Sequence, residues 1–390
     1  MTITFVTNYV HHHQLPVADE LYKLVGSDYK YIASEPLPDW LVKGGYDPSL
    51  DRPYIIRPYQ SDEEMKRARN LIDESDVVIM GAAPVSWAYA RKKANKVTFH
   101  YSERWLKNLS LRVFSPRGIY FRLKNFTQFR NKRTYMLCAS AFTAKDVRWY
   151  LSFPHKCFKW GYFTKVEKID ESNIEGVVSQ IETPQGVSIP KNATILWCAR
   201  FLELKHPELP VLLAERLKKK GYSFCIDMYG SGEKLEEIKK MAETLGVEDV
   251  VNFCGNVPNE EMLRVMRNHE IFLFTSDRNE GWGAVLNESM SNGCAVVGSD
   301  EIGSVPFLIQ DGKNGLVFKS KSIDSLYSKV SYLLDTPKDC ARIRREALKT
   351  MQKTWSPQSA AKAFFNLASY AIRNELDNYK VTEGPASWAK

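Results

Sequence analysis

At 390 residues the chain is longer than one hydrophobic core ordinarily supports, which favours two domains. A 44% hydrophobic share beside 26% charged residues describes a soluble globular protein, and with no apolar run approaching about 18 residues a transmembrane helix is excluded. The net charge of +8 invites an acidic partner without naming one. The start, MTITFVTNYV, lacks a basic region, a long apolar segment and a cleavage site, so the expected location is cytoplasmic. The seven cysteines are odd in number, scattered and mostly embedded in strand-like runs; they read as reduced, buried small hydrophobes.

Short apolar strands alternate with longer amphipathic helical patterns from end to end, the pattern of parallel sheets covered by helices. The first half offers ITFVTN, DVVIMG, KVTFHY and MLCAS as strands. The loop after the first holds His11, His12 and His13. Without carboxylate or cysteine partners at ligand spacing, these three suit acceptor contact or plain loop polarity better than a metal, and no metal site is expected. The third strand carries His100 at its end. Glu103, three residues on, suits an acceptor base or a partner of Arg104.

From Arg104 to Arg133 the chain has nine basic residues and no acidic one, with aromatics interleaved. Arg104, Trp105, Lys107, Arg112, Arg117, Phe121, Arg122 and Lys124 are the expected contacts with an anionic membrane surface, making the protein peripheral on the inner face of the cell membrane. A solvated basic face over core aromatics is the plainer alternative. Single-stranded nucleic acid would also suit the composition but is not expected as a partner.

Val166 to Asn192, rich in Glu, Ser, Gln, Pro and Gly, lacks a clear period and is the linker region. The expected boundaries are a first domain over 1–170, a linker over 171–189 and a second domain over 190–356. A final helix over 357–378 caps the second domain or crosses back to the first. In the second domain ATILWCA, SFCIDMYG, VVNFCG, IFLFTS, AVVGS and LVF restart the rhythm of strands.

The ends of those strands carry the chemistry. ATILWCA leads to Arg200 and Lys205, a fork and a point charge suited to a diphosphate. SFCIDMYG ends in Gly230-Ser231-Gly232, a tight turn where backbone can approach a phosphate. The third glycine of a dinucleotide fingerprint is missing, and no P-loop run occurs. IFLF is followed by a polar loop and EGWGAVLNE, Glu280 to Glu288, with a helix expected over Ala284 to Asn292. Glu280 then lies in the crevice where open α/β sheets bind ligands, and Gly281, Trp282 and Gly283 lie at a helix start. Eight positions at about 100° each come to roughly 800°, some 80° beyond two turns, so Glu280 and Glu288 can face one elongated ligand.

The order ILWCARFLELKHPE, DMYGSGEKLEEI, VNFCGNV and EGWGAVLNESMSNGCAVVGSDEIGSVPFLIQDGKNGLVF resembles the donor domain of the GT-B glycosyltransferases of family 4. The resemblance implies two Rossmann-like, doubly wound domains facing each other across a cleft. It implies a retaining transfer from a nucleoside diphosphate-sugar, with no cofactor or metal. It assigns Glu280 to the donor sugar, the turn Gly281-Trp282-Gly283 to sugar and phosphate, Glu288 to the ribose hydroxyls, and Arg200 with Lys205 to the diphosphate. One departure is Ala199, where the family usually has glycine before its arginine. In the first domain, KVTFHYSE is similar to the strand and histidine that the family uses beside the donor sugar, which makes His100 a catalytic-site candidate. The basic aromatic segment points to a lipid-linked glycan of a surface polysaccharide as acceptor. The rival readings are a nucleotide-sugar epimerase or hydrolase on the same fold, and a catalytically silent partner that binds nucleotide and membrane.

Overall fold

A computed structural model describes residues 1–43, 47, 49–107, 115–167 and 193–390. The expected linker over 171–189 and Arg112 of the basic segment lie outside these. The chain divides into two compact units, one formed by Met1–Lys165 with Thr354–Lys390 and the other by Val166–Lys353.

The first unit is built on seven parallel strands: β1 (Ile3–Thr7), β2 (Tyr29–Ala33), β3 (Ile55–Ile56), β4 (Val77–Met80), β5 (Val97–Ser102), β6 (Thr134–Cys138) and β7 (Cys157–Lys159). They lie side by side in the order β3-β2-β1-β4-β5-β6-β7. The interior strands β1, β4, β5 and β6 are buried on both faces, which is why they read as near-continuous apolar runs. β2, β3 and β7 escape a search for apolar runs. β2 reads YKYIA with a lysine second, and β3 and β7 span two and three residues.

The helix Pro357–Arg373 packs on the helix Leu15–Val25 of this unit. Its Gln358 amide donates to Glu20 at 3.2 Å, and Phe364 meets the Phe99 ring edge-on at 5.3 Å. Its apolar face, Ala360, Phe364, Leu367, Ala368 and Ala371, is fully buried. Beyond it the chain runs antiparallel to β7, bridging Trp388 to Phe158, and the Lys159 amide donates to Ser387 O at 2.7 Å. An edge strand is thereby covered.

The second unit holds β8 (Ala193–Cys198), β9 (Phe224–Tyr229), β10 (Val251–Gly255), β11 (Ile271–Phe274), β12 (Ala295–Ser299) and β13 (Leu316–Phe318), all parallel, in the order β10-β9-β8-β11-β12-β13. The order reverses between β8 and β11. Such a reversal is the switch point at which open α/β sheets hold ligands beside the strand ends. One core fills the unit, from Trp197, Phe201 and Leu213 to Val297 and Ile343.

Among the described residues no helix is long and apolar enough to cross a membrane. Four of the cysteines are buried, as their strand-like surroundings suggest, but Cys198 and Cys225 are only half-buried and Cys254 is exposed on the edge strand β10, where one face meets solvent.

Candidate functional site

In the second unit the loops after β8 and β11 meet at the reversal of strand order. The indole N–H of Trp197 on β8 donates to Thr275 Oγ1 at 2.8 Å, and that hydroxyl donates to the Lys205 carbonyl at 2.6 Å. The Asp277 amide donates to Leu204 O at 3.0 Å. The segment of Lys205 is thus fastened to the segment that leads to Glu280. Their side chains form an ion pair, both ends partly buried, so each charge is held by the other with little water between. Three N–H donors on one ammonium leave Lys205 able to hold this carboxylate and a phosphate oxygen together.

His206 follows in a left-handed conformation, φ 49° and ψ 57°. Its ring stands between two carboxylates, Nδ1 2.7 Å from Glu208 Oε1 and Nε2 3.3 Å from Asp277 Oδ2. Burial lowers its pKa, but the two carboxylates outweigh that and leave it raised. Asp277 also pairs with Lys321 at 3.2 Å. Sequence reasoning passed over Thr275, His206 and Asp277; each is one short polar side chain in a loop, and only the fold shows that they join two strand ends.

Gly230 and Gly232 serve the same construction. A Cβ on Gly230, at φ +135°, would stand 1.9 Å from Ala199 O, and one on Gly232 would stand 2.5 Å from Phe201 O. The close approach these glycines permit is therefore to the loop that carries Arg200, with the Phe201 amide donating to Ser231 O at 2.9 Å. Arg200 itself is exposed.

After β11 the turn Gly281-Trp282-Gly283 leads into the helix Val285–Ser291. Gly283, at φ +79°, leaves space for the Phe274 ring, which a Cβ would meet at 2.3 Å. Trp282 is fully buried, its indole N–H donating to Asn287 Oδ1 at 2.8 Å, which anchors the turn to the helix. Glu288 sits partly buried on the helix, and desolvation pushes its carboxyl up to about 7. The charges of Glu288 and Lys205 both bear on the Cys198 thiol at the end of β8, which places them around one strand end.

The first unit has its own cavity of about 500 Å³ over the ends of β1, β4, β5 and β6. His100 lines it, its ring edge-on to Phe126 at 5.1 Å and to Phe153 at 5.7 Å. Its Nε2 is buried without a hydrogen-bond partner, and burial with the Lys92 ammonium nearby holds its pKa well below the usual range. His100 therefore favours its neutral form, with Nε2 left to meet a ligand. Glu103 lines the same cavity, paired with Lys107 and accepting from the Tyr162 hydroxyl at 3.0 Å. Its partner is thus not Arg104, which pairs with Asp146 at 3.5 Å. His11 also lines the cavity, with Nε2 3.0 Å from Asn8 Oδ1. Burial first, and then the neighbouring histidines, lower His11 to about 4 and His13 to about 3; burial lowers His12 as well. Among the described residues no group of three or more His, Cys, Asp or Glu side chains is placed to hold a metal ion.

The residues expected at a membrane divide. Arg104 and Lys107 are committed to ion pairs, and Trp105 lines the cavity against Phe126. Arg117, Phe121, Arg122 and Lys124 lie on the helix Pro116–Asn125, whose Ile119, Tyr120, Phe121 and Leu123 are exposed, Tyr120 to 62%. Arg122 is drawn inward, its guanidinium 4.7 Å from the Tyr150 ring centre.

Residues 179–350 match the family model described as glycosyl transferases group 1. The chain is 26% identical over 147 residues to the GDP-mannose-dependent alpha-(1-6)-phosphatidylinositol monomannoside mannosyltransferase of Mycobacterium tuberculosis, covering 36% of this chain and 38% of that protein. It is 29% identical over 151 residues to the D-inositol 3-phosphate glycosyltransferase of Corynebacterium glutamicum, covering 39% of this chain and 35% of that one. These matches span little more than a third of the relatives' length. Among solved structures, HepE of Anabaena in complex with UDP superimposes with a TM-score of 0.68 at 13% identity, over 95% of this chain and 100% of the other. The chain has the GT-B α/β fold, and its second unit carries the segment that matches the group 1 glycosyl transferases.

Proposed function

We propose that this protein is a glycosyltransferase that moves a sugar from a nucleoside diphosphate donor, held by the second unit, to an acceptor hydroxyl. The observation that carries this reading is the Lys205–Glu280 pair, fastened by Thr275 and Asp277 at the reversal of strand order, inside the segment similar to group 1 glycosyl transferases. Arg200 and Lys205 hold the diphosphate and stabilise the charge that develops as it departs. Glu280 meets the donor sugar, Glu288 the ribose hydroxyls, and transfer retains the anomeric configuration. In the first unit the neutral His100 offers Nε2 to a sugar hydroxyl, and Glu103, beside Tyr162, meets the acceptor; His11 to His13 border its path. The donor is a UDP-, GDP- or dTDP-sugar. A relative that uses GDP-mannose and a neighbour solved with UDP leave the base open.

The acceptor in this reading is a lipid-linked glycan of a surface polysaccharide, and the exposed face of the helix Pro116–Asn125 rests on the anionic inner face of the cell membrane. The relatives named for phosphatidylinositol and inositol phosphate support a phosphate-bearing acceptor. Thermal unfolding against UDP, GDP, dTDP and ADP tests the donor site. A nucleotide at about 100 times its dissociation constant stabilises by roughly 2.7 kcal/mol. One base giving that shift, with Arg200→Ala and Glu288→Ala folded but unresponsive, supports the reading. No shift from any nucleotide overturns it.

A further inference from the structure

Another cavity in the first unit, about 950 Å³, opens beside the starts of β6 and β7, with the Phe153 ring between it and His100. Arg130, Asn131, Arg148 and His155 line it, together with Leu151 and Phe153. Residues 126–133 and 143–157 form two of its walls, and Trp388, Ala389 and Lys390 a third. Residues 126–133 and 143–157 together hold six lysines and arginines, and their one acidic residue is Asp146. That carboxylate is buried, accepting from the Leu106 amide at 2.9 Å and pairing with Arg104. It therefore cannot neutralise the groove.

The walls are fixed against each other. Lys156 donates to the carbonyls of Arg130 and Lys132 at 2.8 and 2.7 Å, and Thr127 donates to the Tyr150 carbonyl at 2.6 Å. Leu151, Phe153 and His155 all adopt φ near +52°, a conformation costly for side-chain-bearing residues; Leu151 and His155 are exposed, while Phe153 is buried between them. At the rim Trp149 is 69% and Leu151 65% exposed. Large apolar side chains standing in water beside unneutralised guanidinium groups are the make-up of an interfacial contact, with cations at the headgroups and apolar tips below them.

We propose that this groove binds the phosphate headgroup of an anionic phospholipid in a bilayer while Trp149 and Leu151 enter the interface. It gives the first unit a membrane contact separate from the helix Pro116–Asn125 and rests on the membrane reading above.

The test is sedimentation with vesicles of mixed phosphatidylglycerol and phosphatidylcholine against phosphatidylcholine alone, using the full chain. Arg130→Glu with Arg148→Glu should weaken binding to the anionic vesicles at least about tenfold. Trp149→Ser with Leu151→Ser should weaken it as well, both pairs keeping the wild-type melting temperature and nucleotide-induced shift. Vesicle binding needs neither donor nor acceptor, so its outcome is independent of whether transfer occurs. If Arg117→Glu with Lys124→Glu abolishes binding while both groove pairs bind like wild type, the groove proposal falls and the helix contact stands. If the wild-type protein ignores anionic vesicles, both fall. Inorganic phosphate that stabilises the wild type but not Arg130→Glu with Arg148→Glu, without any effect of that pair on vesicles, overturns the lipid assignment. Loss of oligonucleotide binding alone in that pair does the same.

Discussion

Glu288 shows how a carboxyl held away from water taxes the fold. Desolvation pushes its carboxyl up to about 7 from 4.5, so between those values the native state keeps a proton that the unfolded chain has released. Stability then falls as pH rises through that window. Glu288→Gln should raise stability by roughly 1 to 3 kcal/mol at pH 8, allowing for its partial exposure, and change little near pH 4. Melting temperatures of the two proteins across pH check this. The same substitution should cost nucleotide affinity, the usual exchange between a buried polar site and stability. His206 behaves oppositely. Its raised pKa, held up by Glu208 and Asp277 against burial, contributes stability that is present below about pH 6.5 and lost as pH rises through its native value. His206→Gln should therefore destabilise by about 1 kcal/mol at pH 6 and by less at pH 9, read by urea unfolding.

At the level of elements, the turn after β9 and the helix Pro357–Arg373 each carry a sharp expectation. Gly230→Ala drives a methyl into the Ala199 carbonyl, a backbone atom that cannot swing aside, and should cost more than about 2 kcal/mol while shifting the loop of Arg200. Weaker nucleotide binding together with a lowered melting temperature is the expected result. Phe364→Ala empties a fully buried site against Phe99 and Trp160 and should cost about 3 to 5 kcal/mol in urea unfolding.

These elements also show what the sequence makes legible. All six strands of the second unit are readable because each is an apolar run closed by a polar or glycine-rich loop, and EGWGAVLNE follows β11 as expected. The Lys205–Glu280 pair is not readable, because 75 residues separate its members and only the strand order joins them. Nor are Trp149 and Leu151. Neither belongs to a motif, and the left-handed conformation of Leu151 leaves no mark of composition.

On the scale of the whole molecule, composition announces two domains and the strand rhythm their type, whereas the helix Pro357–Arg373 returns to the first unit through packing that periodicity alone does not assign. This organisation concentrates the expected response to donor. If a nucleoside diphosphate binds where Arg200, Lys205, Glu280 and Glu288 gather, it stiffens loops that belong to the second unit alone. Those loops join β8, β9 and β11 to the helices after them, and they carry fewer ladder hydrogen bonds than the strands they follow, so their amides open locally in the free protein. Hydrogen exchange followed by peptide should show slowed exchange in residues 199–206, 230–235 and 275–288 when the nucleotide found by thermal unfolding is added. Strands β10 and β13, at the sheet edges, should exchange as before. Protection confined to the cavity around His100 would place the nucleotide in the first unit instead and reverse the assignment of donor and acceptor sites.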